Sequence, residues 1–351
     1  MKIDQDIILA SYTTFKIGGP ARFFCVVKDQ FDALQAFEFA REKHLKTFVL
    51  GGGSNILVSD EGFDGLVIRV VNKGIEVLSE SDDNVLLKVA SGEVWDEVVK
   101  FAVTNNWWGI ENLSHIPGST GAIAVQNVGA YGQEAGNVLE AVTVFNKDTH
   151  QILSLSSDSC GFGYRKSIFN SSEKGKYIIF DITFNLAKNS HANLEYRDLK
   201  TRFGGKNPSL ADVRQAVIEI RNKKFPFPTE AIKGNAGSFF KNPVLTADEY
   251  LDLQTKITVE FGQFSSDELG KKKFSDNGQI KIPAAFLIEI CGLKNLQSGG
   301  AAINKNQPLV IINADGKATA KDVLDLAEKV RQSVREKTGV ELKFEPELIG
   351  F

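Results

Sequence analysis

The sequence IPGSTGAIAVQNVGAYG, residues 116–132, holds four glycines (Gly118, Gly121, Gly129, Gly132) and no charged side chain. Glycine lets a backbone approach a ligand closely and adopt turns that a Cβ forbids. A run this rich in backbone amides, with Gln126 and Asn127 set in it, suits hydrogen bonding to a flat heteroaromatic. The competing reading is a buried glycine-rich turn that only packs. The rest of the chain has to separate the two.

With 351 residues, the chain exceeds one ordinary core and is expected to hold two or three domains. A 42% hydrophobic and 24% charged composition is that of a globular protein. A net charge of −3 argues against general nucleic-acid binding. The opening MKIDQDIILASYTTFKIGG lacks a long apolar core and a small-residue cleavage site, so no signal peptide and a cytoplasmic location are expected. No apolar run reaches the roughly 18 residues needed to cross a bilayer. Cys25, Cys160 and Cys291 lie far apart without CxxC spacing, which fits reduced thiols. The histidines (His44, His115, His150, His191) form no ligand pair, so no zinc site is expected. The chemistry therefore falls to an organic cofactor or to Ser, Glu, Arg, Lys and Tyr.

In chain order, residues 23–27 read as a strand, and Asp29 caps a helix running to about Lys43 with Phe31 and Leu34 on one face. Strand 47–50 empties into Gly51-Gly52-Gly53-Ser54-Asn55, a turn whose amides and polar side chains can wrap a diphosphate. It is neither a P-loop nor a GxGxxG fingerprint. Residues 56–58, 66–70 and 85–90 read as further strands. Ser91 is placed as the cap of a helix over 93–105, with Val94, Trp95, Val98, Val99 and Ala102 inward. Trp107 and Trp108 read as core or interface anchors. Strands over 141–145 and 151–155 precede Gly161-Phe162-Gly163-Tyr164-Arg165, and a strand over 177–184 follows. Arg165, beside glycines and aromatics, offers a planar fork suited to a carboxylate; a surface salt bridge is the alternative.

Residues 194–199 have no clear element, and Ser209 caps a helix to about Lys223 that buries Val213, Ala216, Val217 and Ile220. Arg221 and Lys224 lie at its C-terminal end, where cations suit the helix dipole or a phosphate. Phe225-Pro226-Phe227-Pro228 stops the helix and marks a boundary. Ser238, in the run GNAGSFFKNP, has a hydroxyl beside glycines, Lys241 and Asn242. Thr246 and Glu249 form a capping box. Residues 267–277 read as a charged loop, Pro283 and Gly292 bracket a short helix, and 309–312 reads as a strand. The last helix begins at Thr319 and ends before Gly339, with Val323, Leu326, Val330 and Val334 inward; residues 340–344 alternate as a strand. Neither a hydrolase triad nor a glycosidase carboxylate pair finds support. The residues alone point to a flavin or nucleotide enzyme acting on an anionic substrate.

Taken in order, TFKIGGPA (residues 14–21), LGGGSN (50–55), IPGSTGAIAVQNVGAYG, FGYRKSIF, GNAGSFFKNP and the closing EPE resemble the UDP-N-acetylenolpyruvoylglucosamine reductases, over nearly the whole chain. The resemblance implies an α+β fold of the vanillyl-alcohol-oxidase (PCMH) type. Two FAD-binding subdomains (1–70 and 71–225) would precede a C-terminal α+β substrate domain (226–351), whose tail from 340 returns to the active site. It implies non-covalent FAD, NADPH as co-substrate, and reduction of UDP-N-acetylglucosamine enolpyruvate to UDP-N-acetylmuramate for peptidoglycan, with hydride passing through flavin N5. By position, Ser238 matches the proton donor, and Arg165 and Glu347 the pair acting on the enolpyruvyl carboxylate. Gly51, Gly52, Gly53, Ser54, Asn55, Pro117, Gly118, Ser119, Gly121, Gln126, Asn127, Gly129, Ala130 and Tyr131 match the cofactor-binding positions. Tyr196, Arg221, Lys224, Asn242 and Gln297 match those that bind the UDP-sugar, with Tyr196 in the subclass that carries a tyrosine loop.

The chain departs from that pattern after Glu347, where relatives usually place an arginine, so Glu347 is preferred over Glu345 without excluding it. A monomer is expected, since no heptad or apolar stripe calls for a partner. Two rival readings stay open. One is a sugar or alcohol oxidase with FAD attached covalently, for which His115 or Cys160 would serve; the other is a UDP-sugar sensor without catalysis.

Overall fold

The computed structural model describes residues 1–226, 232–276 and 278–351. It divides into two compact units: Met1–Ile7, Ala21–Gly53 and Phe63–Lys223 form the first, and Ile8–Pro20, Ser54–Gly62 and Lys224–Phe351 the second. The division crosses the GGGSN turn between Gly53 and Ser54.

The first unit begins with β1 (Ile3–Ile8), β2 (Pro20–Val27), α1 (Gln30–Glu42) and β3 (Lys46–Leu50). Asp29 starts α1 as expected, its side chain accepting the Asp32 amide at 2.9 Å. Ala33, Ala36, Phe37 and Ala40 form the buried stripe, whereas Phe31 is 63% exposed. Two residues are about 200° around a helix, so burying Ala33 turns Phe31 outward. Beyond β4 (Ile56–Val58), which belongs to the second unit, β5 (Phe63–Val70) runs parallel to both β2 and β3 and lies between them. The resulting sheet has the order β1-β2-β5-β3.

A second sheet of the same unit uses β6 (Ile75–Glu80) and β7 (Asn84–Ala90), followed in the chain by α2 (Trp95–Thr104) and α3 (Thr120–Val125). The short pair β8 (Gly129–Ala130) and β9 (Gln133–Glu134) precedes β10 (Leu139–Asn146), β11 (Ile152–Ser156) and β12 (Tyr177–Ala187). Its antiparallel order is β11-β10-β12-β7-β6. One face packs Phe145, Ile178 and Phe180 against Val27, Ala36 and Ile68. The other packs Leu87, Val142 and Phe184 against Trp95 and Val98 of α2 and Ile123 and Ala124 of α3. Two residues assigned to the start of α2 do something else. Val94 is the N-cap residue and is 51% exposed, and Ser91 is not the cap: α2 starts four residues after it, with no side-chain cap bond. The Ser91 amide instead donates to Phe180 O at 2.8 Å and its carbonyl accepts the Gly121 amide at 2.9 Å, and the chain turns helical only at Trp95. The unit closes with α4 (Arg197–Phe203), in the segment the sequence left without an element, and α5 (Leu210–Lys224), whose start Ser209 caps by accepting the Asp212 amide at 3.2 Å.

The second unit runs through β13 (Val244–Leu245), α6 (Ala247–Phe261), α7 (Gln263–Lys272), β14 (Phe274–Asp276), β15 (Gln279–Lys281) and α8 (Ala284–Ile290). Then come β16 (Gln297–Ser298), β17 (Ala301–Ile303), β18 (Ile311–Asn313), α9 (Ala320–Thr338) and β19 (Glu347–Ile349). The capping box of Thr246 and Glu249 is formed, and Thr319 caps α9 in the same way. Residues 267–272 are helical rather than a loop. Glu268 reaches Lys271 at 3.0 Å and Lys272 at 2.9 Å on one helix face, and these hydrogen bonds, Lys272 first, pull its carboxyl down to about 2. Asn277, Phe227 and Pro228 lie outside the described residues.

Residues 340–344 were expected as a strand. Val340 and Leu342 are buried in alternation, but among the described residues only a single bridge, Phe344 to Phe240, is made. The alternation serves packing, and the strand forms three residues later, where β19 pairs in parallel with β4. The core of this unit is centred on α9, whose Val323, Leu326, Val330 and Val334 are fully buried. Leu326→Ala is expected to lower the unfolding free energy by about 2–5 kcal/mol in urea titrations, through lost transfer energy and the cavity left behind.

Candidate active site

In the first unit the two glycine runs meet. A Cβ on Gly52 would stand 2.5 Å from Gly118 Cα and 2.8 Å from Ser119 N, and one on Gly51 would stand 2.6 Å from Ser119 Oγ. Gly118 has a φ of +125°, which an L side chain rarely adopts. Among the described residues the amides of Gly52, Gly118 and Ser119 donate to no other protein group. The next amides are used internally: Thr120 N donates to Glu93 O at 2.8 Å and Gly121 N to Ser91 O at 2.9 Å. Backbone amides left over at a contact without side chains are what an anionic or heteroaromatic group needs.

Left-handed backbone gathers around this run. Asn127, Tyr131 and Arg165 have φ of 45°, 48° and 53°, and His115, just before the run, has 61°. Such conformations persist where surrounding bonds over-determine them, and they cluster at functional sites. The bonds are visible here. Asn127, 2% exposed, accepts from Gly136 N at 2.7 Å and donates to Glu134 Oε2 at 2.9 Å and Gly163 O at 3.1 Å. It thus ties the run to the loop that carries Arg165. Arg165 in turn donates from Nη1 to Gly129 O at 3.2 Å, and its own carbonyl accepts from Asn170 Nδ2 at 3.1 Å. Gly121 lies against Ser91, Gln126 ends α3, Ala130 sits in β8, and Pro117 is half-buried ahead of Gly118.

Helices α2 and α5 clamp the entry to the run. His115 N donates to Asp96 Oδ1, and Arg214 grips the same carboxylate with bonds of 2.7 and 2.8 Å. Burial pushes Asp96 up, but Arg214 and the His115 amide outweigh it and hold the carboxyl below its usual range. Arg221, 8% exposed, donates from Nε to His115 O at 2.9 Å and hydrogen-bonds the Tyr131 side chain. Burial pushes the Tyr131 hydroxyl up to about 12, with Arg221 pulling the other way, so it stays protonated near neutrality. The Tyr131 and Tyr196 rings meet edge to face with centroids 5.1 Å apart. Thus Tyr131, Tyr196 and Arg221 form one group. Sequence patterning gave no sign of Asp96, Glu111, Asn112, Gln133 or Arg214: Asp96 and Arg214 read as ordinary polar positions of their helices, and the bonds that tie Glu111 and Asn112 to Gln133 and Tyr131 span 19–22 residues.

The second unit holds the remaining predicted residues. Ser238 is half-buried, bridged to Val310, and its hydroxyl makes no hydrogen bond among the described residues. Its neighbours are fixed: Gly237 N donates to Asn235 Oδ1 at 3.0 Å, and Phe239 N to Leu309 O at 2.7 Å. Asn55 Nδ2 donates to Glu345 O at 3.2 Å and Asn55 O accepts from Glu347 N at 3.0 Å, so the tail docks on the segment that opens with Ser54. Glu347 then opens β19. Asn242 Oδ1 accepts the Ala284 amide at 2.9 Å at the start of α8. Lys224 O accepts from Asn304 Nδ2 at 3.0 Å, and Gln297 is exposed in β16.

Covalent flavin attachment is poorly served. Cys160 is buried, which pushes its thiol up to about 11, and the His115 ring is hydrogen-bonded to Asn222 Oδ1 at 3.0 Å. Among the described residues no cluster of His, Cys, Asp and Glu could hold a metal, and no helix is long and apolar enough to cross a membrane.

Residues 21–154 match the FAD binding domain family, and residues 227–349 match the C-terminal domain of UDP-N-acetylenolpyruvoylglucosamine reductase. The UDP-N-acetylenolpyruvoylglucosamine reductase of Flavobacterium johnsoniae is 36% identical over 354 residues, covering 99% of this chain and 100% of the relative. That of Neisseria gonorrhoeae is 39% identical over 345 residues, covering 96% and 95%. The crystal structure of UDP-N-acetylenolpyruvylglucosamine reductase from Thermus caldophilus superposes with a TM-score of 0.68 at 25% identity, covering 99% of both chains. The fold and these matches together define an α+β flavin-dependent oxidoreductase with a FAD-binding domain. The chain belongs to the UDP-N-acetylenolpyruvoylglucosamine reductase family.

The glycine contact makes a direct prediction. Gly52→Ala should weaken FAD binding by at least about tenfold, roughly 1.4 kcal/mol, in a titration of the apoprotein. Gly163→Ala, where a Cβ meets nothing within 4 Å, should bind FAD as the parent does. Equal affinity for all three proteins would remove the contact from the cofactor site.

Proposed function

We propose that the protein uses NADPH and non-covalent FAD to reduce the enolpyruvyl ether of UDP-N-acetylglucosamine enolpyruvate to UDP-N-acetylmuramate. It would do so as a cytoplasmic monomer making peptidoglycan precursors. The observation that carries this reading is a single arrangement in the first unit. A glycine contact with unused amides shares that unit with an arginine held in left-handed backbone against Gly129 O. The residues fit FAD: a diphosphate suits the amides of Gly52, Gly118 and Ser119, and the side-chain-free contact leaves them accessible to it. Bound FAD would supply hydride-transfer chemistry between NADPH and the substrate's vinyl carbon.

The protein's own residues then have separable tasks. Addition at the vinyl carbon builds negative charge on the neighbouring carbon and its carboxylate. Arg165 meets that carboxylate with a planar, permanently charged fork, and its tie to Gly129 means little reorganisation as the charge grows. Ser238 donates the proton that completes the addition. Its hydroxyl has no competing partner among the described residues, and Lys241 is the nearby cation in sequence that can stabilise the resulting alkoxide. Glu347, carried on β19, acts with Arg165 on the enolpyruvyl group. Tyr196, Arg221, Lys224, Asn242 and Gln297 hold the UDP-sugar, with Arg221 doing so through Tyr131 as well as directly.

Ser238→Ala separates these tasks. NADPH should bleach the bound flavin at the parent rate, while reoxidation by UDP-N-acetylglucosamine enolpyruvate should slow by about 10²–10⁴-fold, the usual contribution of a general acid. Equal loss of both half-reactions in stopped-flow traces would remove Ser238 from the proton-donor role.

A further inference from the structure

Asn112 stands outside every role assigned above, yet it is completely buried. Its Nδ2 donates to two carbonyls at once: Tyr131 O at 2.8 Å and Asn193 O at 2.8 Å, the latter 81 residues along the chain. Only the amide nitrogen can face two acceptors, so the orientation of the side chain is fixed by its partners. Its oxygen is left buried without a hydrogen-bond partner among the described residues, a cost the fold carries for the two donor bonds. The backbone around Asn112 is equally fixed. Asn112 N donates to Gln133 Oε1 at 2.8 Å, and Gln133 Nε2 donates to the buried Glu111 at 2.7 Å.

What Asn112 joins is informative. On one side is the strained Tyr131 turn, with φ of 48° at Tyr131 and 83° at Gly132. On the other is the segment leading into Tyr196. Asn193 returns a bond from Nδ2 to Gly132 O at 2.9 Å and accepts the Glu195 amide at 3.2 Å. The outcome of this double tie is the edge-to-face contact of Tyr131 and Tyr196.

We propose that Asn112 is a positioning residue: its side-chain amide ties the Tyr196 segment to the Tyr131 turn and thereby sets the affinity for the UDP-sugar substrate. This rests on the reading of Tyr196 as a substrate-binding residue. Asn112 touches neither substrate nor cofactor and acts through the two carbonyls alone. An aspartate of the same shape would turn a carboxylate oxygen toward those carbonyls and undo the tie without changing volume.

The test uses the full-length FAD-loaded protein carrying Asn112→Asp. Hydrogen exchange of the amides of residues 193–196 should rise by at least about tenfold, while that of β12 stays unchanged. KM for UDP-N-acetylglucosamine enolpyruvate should rise by about tenfold, with kcat and the NADPH half-reaction within about twofold of the parent. Unchanged exchange at 193–196, or a rise of equal size in β12, would overturn the tie. Should Asn112→Asp fail to fold, Asn193→Ala removes the return bond from the exposed side and is read in the same way. Tyr196→Ala distinguishes the two levels. If it leaves KM unchanged, the substrate reading of Tyr196 has failed, and the exchange data still decide the tie.

Discussion

Two backbone turns that must touch with no side chain between them govern the first unit. Gly52 lies at the end of a parallel strand and Gly118 ahead of a short helix, and one added methyl would drive them apart. The contact forces the polar groups nearby to find partners elsewhere. Thr120 and Gly121 amides turn to carbonyls of the 91–93 segment, and His115 is gripped by Asp96 and Arg221. The strained residues that follow, Asn127, Tyr131 and Arg165, are each held by bonds to a different segment. Rigidity here is distributed over hydrogen bonds, while the amides of Gly52, Gly118 and Ser119 donate to no other protein group among the described residues.

The second unit contributes through packing. Phe15, Phe240 and Phe344 each meet the ring of Phe239, the residue after Ser238, edge to face, and the main chain on both sides of the serine is bonded to strand partners or turns. Under the proposed role of Ser238 as proton donor, such a frame leaves the hydroxyl rotamer as the remaining freedom. The tail is held similarly, by the parallel pairing of β19 with β4, which fixes where the Glu347 main chain runs.

Features with short-range causes were legible in the sequence. The caps at Asp29, Thr246 and Thr319 depend on residues three apart, and the inward stripe of α9 depends on helical period alone. The ordered motifs carried the family and the flavin fold. Long-range choices were not legible. Nothing local says that residues 340–344 pack with a single bridge in place of a strand, or that β4 finds its partner nearly 300 residues later. Ser91 satisfies the rule for a helix cap, but its main chain bonds Phe180 and Gly121 and the helix starts only at Trp95. The helix over 267–272 could have been read from Glu268, Lys271 and Lys272, whose spacing puts opposite charges on one face. Asn112 had no such signal, because its partners lie 19 and 81 residues away and only folding brings them together.

The central claim is that this chain couples NADPH oxidation to reduction of an enolpyruvyl ether through a flavin it binds without a covalent bond. The most direct measurement follows NADPH absorbance in the purified yellow protein as UDP-N-acetylglucosamine enolpyruvate is added, with flavin released by acid precipitation in parallel. The account predicts one NADPH oxidised per UDP-N-acetylmuramate formed, and flavin recovered intact in the supernatant. A colourless protein, or NADPH oxidation indifferent to the substrate, would contradict it.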